Sequence, residues 1–436
     1  MHLTLVLWAL ILLSALLLLR RKANFTTSTP TAGNALFDPS RSTFEDIESC
    51  KAILACTLGG SSRRIPLLSQ LQARALPNER LQVAFGIDNA FTTTDVEWYK
   101  EFRKLSESHL RVSNSQWKSL ATTARQIATT GISSRSRSFA LAPLVQTLTL
   151  KISLQLFFGL DASTLNNDTM SFIASSINTI WLASKQHSQH PAAITPWHHH
   201  HALIAALRAL IPSRDPLSPR QNPMTLILPA YETTWRVVLR CLLEVRCSAR
   251  NHRHSDQACW RAALAAFLHD PTPSAFHEVV DADADADADA ERGAAVSAAA
   301  VAKEALRLYP PTRRVYRDLP LPAGRVAADV EGVQRDGAVW GGGGVDDARS
   351  FWPRRWVAAA SGGGGPFLAF GGAPFLCPAR AAFGPMMVAV LVAALVEALP
   401  EAEFEMDGML AGEMANVGEP LSNEREAYGD LRVVRK

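Results

Sequence analysis

Phe370-Gly371-Gly372-Ala373-Pro374-Phe375-Leu376-Cys377-Pro378-Ala379-Arg380 is the stretch on which the reading of this chain turns. A Gly-rich turn delivers one cysteine, and a long apolar run follows. Pro378 sits where a first helical residue would, and there its missing N–H costs nothing. The Cys377 sulfur is expected at the positive end of a helix, facing backbone N–H groups that have no partner inside it. Such a setting favours a thiolate over a thiol, and a thiolate is a metal ligand. Alone, the same words also describe a buried cysteine beside a glycine turn.

The segment resembles the haem-binding loop of the cytochrome P450 family. Phe370, Gly371, Gly372, Cys377 and Ala379 fit that family's aromatic, glycines, cysteine and small residue. The resemblance implies that Cys377 is the axial ligand of a haem b iron, to which a thiolate pushes electron density. It also implies that Phe370, Gly371, Gly372 and Ala379 belong to the cofactor-binding loop. Two positions depart from the pattern. Ala373 stands where glycine is usual, and Phe375 stands where an Arg or His normally pairs with a haem propionate.

Three further stretches occur in the family's order. Lys303-Glu304-Ala305-Leu306-Arg307-Leu308-Tyr309-Pro310-Pro311 lies at the end of a helix expected over Ala298 to Tyr309. Glu304 and Arg307, three apart, share a helix face and can pair. By resemblance this is the family's K helix, and Arg355 of Phe351-Trp352-Pro353-Arg354-Arg355-Trp356 is the third member of a buried structural triad. Pro229-Ala230-Tyr231-Glu232-Thr233-Thr234 resembles the oxygen-binding motif of the family's central helix. There Glu232 and Thr233 would be the catalytic acid–alcohol pair that delivers protons. The plain alternative is a first helical turn in which both residues serve as caps. Asp329 through Trp340-Gly341 looks like the family's strand pair and turn.

For the haem propionates the resemblance offers Lys100 and Arg103, on a helix beginning near Asp95, and Arg314 after Pro310-Pro311. Each reads equally well as a surface charge. Thr169 to Ser184 has the mixed apolar spacing of an amphipathic helix. Residues 46–90 mix short helical pieces and leave little room for a sheet. His198 to His201 point around a turn rather than at one ion. Asp281 to Ala290 is an acidic low-complexity loop, and Gly341 to Gly344 and Gly362 to Gly365 read as flexible insertions.

The chain has 436 residues, 47% hydrophobic and 19% charged, enough to bury a large core and too little charge for disorder. A net charge of +3 gives no signal for nucleic acid. Six cysteines without Cys-x-x-Cys spacing suggest neither zinc nor a disulfide framework, but a reducing compartment. Leu3 to Leu19 is almost wholly apolar, and its 17 residues span about 26 Å as a helix. Arg20-Arg21-Lys22 follows, which keeps the downstream side in the cytosol.

The expected architecture is therefore mainly α with small β-sheets, a cytochrome P450-like fold preceded by a transmembrane helix. Its divisions are an anchor over 1–22, a linker over 23–45 and a haem domain over 46–436. The resemblance implies a haem-thiolate monooxygenase in the endoplasmic reticulum membrane of a eukaryote, facing the cytosol and acting on an apolar small molecule. The wording of its motifs suggests fungal secondary metabolism. NADPH-cytochrome P450 reductase would be the electron donor. Two alternatives stay open: a haem-thiolate isomerase or dehydratase, and a decayed, non-catalytic membrane haemoprotein.

Overall fold

The computed structural model describes residues 43–57, 65–186, 191–246, 254–280, 295–320, 323–341, 348–358, 365–407 and 419–436. The chain begins with β1 (Thr43–Phe44) and the helices α1 (Ile47–Leu54), α2 (Leu67–Ala75), α3 (Glu79–Phe85), α4 (Val96–His109) and α5 (Asn114–Ser133). Next come β2 (Ser138–Ala140), α6 (Leu141–Phe158), α7 (Asn167–Gln186), α8 (His201–Leu210), α9 (Met224–Arg246), α10 (His254–His269), α11 (Pro273–His277) and α12 (Ala298–Leu308). The chain closes with β3 (Arg314–Leu319), β4 (Gly324–Asp329), α13 (Val330–Gln334), α14 (Gly337–Trp340), α15 (Arg355–Ala358), α16 (Phe383–Ala398), β5 (Phe404–Asp407) and β6 (Arg432–Arg435).

Local chemistry sets many of these starts. The Asp95 side chain accepts from the N–H groups of Glu97 and Trp98 and opens α4. Ser113 and Gln116 form a reciprocal capping box on α5. Ser297 caps α12 through the Ala300 N–H. Asp329 and Asp336 accept from Gly332 N and Ala338 N, and so start α13 and α14. Those two caps correct the expected strand pair over Asp329 to Gly341. The strand pair lies earlier, where β3 and β4 run antiparallel from Arg314↔Asp329 to Leu319↔Gly324.

Burial does the rest. α9 lies at the centre against α6 and α16, and α16 also packs on α5, α10 and α12. Their apolar faces make one large core, with Leu228, Leu242, Val390 and Leu391 among the buried residues. A smaller core sits under the sheet of order β1-β4-β3, with Leu71, Tyr99, Leu368 and Phe375 in it. This sheet draws only two residues from the region before 90, which is why that region reads as helical. The second sheet has the order β2-β6-β5 and is antiparallel.

Among the described helices, α6 alone is long and apolar enough to cross a membrane, and 67% of it is buried inside the protein. The expected anchor over 1–22, nearly all of the linker, Asp281 to Ala290 and most of both Gly runs lie outside the described residues.

Candidate functional site

The Cys377 loop lies where the two cores meet. Leu368 and Phe375 belong to the smaller one, while Phe367, Phe370 and Phe383 pack on the larger. Gly371 N–H donates to Leu368 O at 2.8 Å, and Cys377 N–H closes the loop on Phe370 O at 3.0 Å. Gly371 has φ +74°, in the left-handed region that favours glycine. A Cβ on Gly384 would come within 2.9 Å of the Phe370 ring, so that glycine lets the ring lie against the start of α16.

Pro378–Arg380 forms one 3-10 turn, and the long helix starts only at Phe383. Cys377 stands at the N-cap of that turn, and its sulfur makes no capping hydrogen bond. The predicted preference for a thiolate is corrected. Burial pushes the Cys377 thiol up, and the Ala379 N–H and the Arg74 charge offset only part of that rise. A single 3-10 turn has too little dipole to outweigh burial.

The most informative neighbours of this loop escape the sequence reading. The Arg74 guanidinium lies 4.6 Å from the Phe375 ring and 4.6 Å from the Phe91 ring. Arg317 lies 5.4 Å from the same Phe375 ring. Both arginines are buried, at 9% and 4% exposure. Among the described residues no carboxylate pairs with either. Arg317 donates to Tyr316 O, and its Nε has no partner. Burial, with Arg317 adding like charge, pushes the Arg74 pKa down to about 9. Two buried guanidiniums without an anion are unfavourable unless something negative joins them.

The three propionate candidates drawn from the sequence each pair with a carboxylate of this chain. Lys100 pairs with Glu97 at 2.8 Å and Arg103 with Glu107 at 2.9 Å, each about half exposed on α4. Arg314 pairs with Asp329 across the β3–β4 ladder at 3.1 Å. The clue to Arg74 lies in its own helix, because no acidic residue stands within four positions of it.

Pro229 falls inside α9, so the Glu232-Thr233 stretch is mid-helix rather than a capping turn. Pro229 has no N–H for the carbonyl of Thr225, and Asn89 Nδ2 donates to that carbonyl instead, at 3.2 Å. The Thr233 and Thr234 hydroxyls donate to the carbonyls of Pro229 and Ala230 at 2.6 and 2.7 Å. Pro229, Ala230, Thr233 and Thr234 are partly exposed and share one face of a helix otherwise buried but for Arg236. Tyr231, Glu232 and Trp235 occupy the other side and are buried. Glu232 lies among arginines there, beside Arg425 and 3.7 Å from Arg236. The structure thus separates the Glu232 carboxylate from the Thr233 hydroxyl.

The triad of Glu304, Arg307 and Arg355 is assembled as the sequence predicts. Glu304 Oε1 accepts from Arg307 Nη2 at 2.8 Å and from Arg355 Nε and Trp352 N at 2.9 Å. Its Oε2 accepts from Arg307 Nε and Trp356 Nε1, both at 2.9 Å. Burial alone would raise the Glu304 carboxyl, but Arg307 and Arg355 hold it below the usual range. The triad is tied to the cysteine loop. Gln334 accepts from Leu368 N at 2.8 Å and donates to Arg307 O at 2.8 Å. Trp356, Phe367 and Phe370 then meet edge to face in succession, with centroids 5.1 and 5.9 Å apart.

This arrangement has counterparts among solved structures. A six-coordinated cytochrome P450 from Thermus thermophilus superposes with a TM-score of 0.52 at 18% identity, covering 90% of this chain and 92% of that one. A variant of the cytochrome P450 OleT, solved with arachidonic acid, gives 0.51 at 14% identity, covering 83% of each. No protein-family model matches the chain, and no curated protein does. The fold is therefore that of the cytochromes P450.

Proposed function

We propose that this protein is a haem-thiolate monooxygenase with Cys377 as the iron ligand. The observation that carries the reading is the pair Arg74 and Arg317, buried without an anion beside the Cys377 loop. Haem b brings two carboxylates and needs one soft ligand, and this donor set fits it. When bound, the cofactor supplies one-electron redox chemistry and dioxygen activation.

The chain's own residues then have distinct tasks. Cys377 would hold the iron, and the Ala379 N–H lowers the basicity of its sulfur against the rise from burial. Arg74 and Arg317 take the propionates in place of the basic residue that Phe375 replaces. Phe370, Gly371 and Gly372 shape the loop, and Glu304, Arg307 and Arg355 keep it rigid. The Thr233 hydroxyl gives its proton to Pro229 O, which leaves its oxygen free to accept from a donor on the partly exposed face of α9. Glu232 serves as a proton reservoir behind that face.

Electrons would come from NADPH-cytochrome P450 reductase, the donor that the family resemblance implies. Anchoring in the endoplasmic reticulum membrane by Leu3 to Leu19, and a role in fungal secondary metabolism, rest on the sequence alone. The turning of Glu232 away from Thr233 is the one observation that favours an isomerase or dehydratase instead. Substrate-dependent NADPH consumption decides between them.

The test of the ligand is a spectrum. Purified protein reduced with dithionite under carbon monoxide is expected to give the red-shifted Soret band of thiolate ligation, and Cys377→Ser to lose it. A purified, folded wild type that takes up no haem would overturn the proposal.

A further inference from the structure

A second arginine cluster lies away from Cys377. The guanidiniums of Arg80 and Arg425 each sit 4.6 Å from the Trp181 ring. Arg80 donates to Ser184 Oγ at 2.7 Å, and Arg425 to Asn178 Oδ1 at 2.6 Å. Arg425 and Arg236 both approach one oxygen of Glu232. Arg240, one turn along α9, is fully buried and donates to the backbone carbonyls of Arg236, Ser422 and Glu424. Three guanidiniums, those of Arg80, Arg236 and Arg425, thus gather around one buried carboxylate. Nearby, Arg313 and Arg335 are already matched by Glu331 and Glu424.

Polar atoms here are also left over. Tyr231 Oη and Trp235 Nε1 are buried donors with no hydrogen-bond partner, while Arg236 Nε and Arg425 Nη2 meet Glu232 as ion pairs without a hydrogen bond. Both Glu232 oxygens also lack an aligned hydrogen-bond donor. Folded proteins keep few such atoms, and a cluster of them calls for an occupant. Excess positive charge and spare N–H groups specify an anion, and the planar fork of arginine matches a carboxylate. Burial pushes the Arg80 guanidinium down to about 10, with Arg425 adding to the push and Glu232 opposing it.

We propose that Arg80, Arg236 and Arg425, gathered around Trp181, form an anion site that receives the carboxylate of an organic-acid substrate. As a statement about substrate it rests on the monooxygenase reading. It replaces the expected wholly apolar substrate with one that has a charged end. The cluster meets α9 at Glu232, on the side of the helix turned away from the Thr233 hydroxyl.

The test is calorimetric and does not depend on turnover. The full chain, with its haem content measured separately, is titrated with benzoate, 1-naphthoate and dodecanoate, each against its primary amide, and with inorganic phosphate. At least one acid is expected to bind tenfold or more tighter than its amide. Arg80→Gln and Arg425→Gln should each erase that preference, and Arg80→Lys, which keeps the charge but loses the fork, should reduce it. The melting temperature of each variant checks its fold. The proposal is overturned if no acid exceeds its amide, if the preference survives in folded variants, or if phosphate binds as tightly as the acids. A preference for acids in protein that takes up no haem would sink the monooxygenase reading and leave the anion site standing. Haem uptake without that preference would do the reverse.

Discussion

Two groups of buried arginines flank the cysteine loop, and their surroundings differ. Around Glu304 the charges are matched. Arg307 and Arg355 meet a carboxylate, and their remaining N–H groups reach the carbonyls of Gln334, Ala348 and Trp340. Around Phe375 they are not. Among the described residues, the Arg74 guanidinium makes ring contacts and no ion pair, and Arg317 reaches one neighbouring carbonyl and the Cys56 thiol. A saturated cluster holds a fold together by itself. An unsaturated one implies that negative charge arrives from outside the chain. Composition cannot tell these clusters apart, since both are arginine beside aromatic rings.

The sharpest way to break this contrast is to remove the one carboxylate of the matched cluster. Glu304→Ala leaves Arg307 and Arg355 buried and unpaired, and is expected to cost about 3–5 kcal/mol in urea unfolding. The opposite sign is expected at the unmatched cluster. In haem-free protein, Arg74→Met exchanges an uncompensated buried cation for an apolar side chain and should stabilise by about 1–4 kcal/mol. A loss of stability there would mean that the ring contacts already satisfy Arg74.

The contrast also has a pH signature. Arg74 is a base whose folded pKa, about 9, lies below its ordinary value. The folded state therefore disfavours its protonated form. That penalty is complete below about 9 and is relieved as pH rises above it. The advantage of Arg74→Met over wild type in haem-free protein should be level below about 9 and shrink as pH rises from there toward about 11. A gap independent of pH would mean the effect is one of packing. The smallest effects belong to the exposed candidates. Lys100→Ala, Arg103→Ala and Arg314→Ala should each change stability by less than about 1 kcal/mol and leave haem uptake intact.

Sequence and structure agree where the signal is local. The K-helix pair at Glu304 and Arg307, the glycine turn before Cys377 and the helix over 298–308 are set by residues within a few positions of one another. Arg355 is legible because aromatic and proline residues mark its short segment. What depends on pairing across the chain is not. The sheet of order β1-β4-β3 joins residues 43–44 to 327–328, and nothing in residues 46–90 announces it. Arg74 and Arg317 meet at Phe375 only because α2 packs on β3. Helix register points to Lys100 and Arg103, although Glu97 and Glu107, one turn away, already signal surface pairs. Glu232 and Thr233 are adjacent in sequence, but a helix turns them about 100° apart, and the partners of Glu232 include the distant residue Arg425.

The measurement that tests the contrast most directly is the affinity of the full chain for haem compared with haem dimethyl ester, in wild type and in the double variant Arg74→Gln, Arg317→Gln. Wild type should bind the free acid at least tenfold more tightly, and the double variant should lose that preference while keeping its fold. Equal affinity of the wild type for both forms would contradict the assignment of Arg74 and Arg317 to the cofactor's carboxylates.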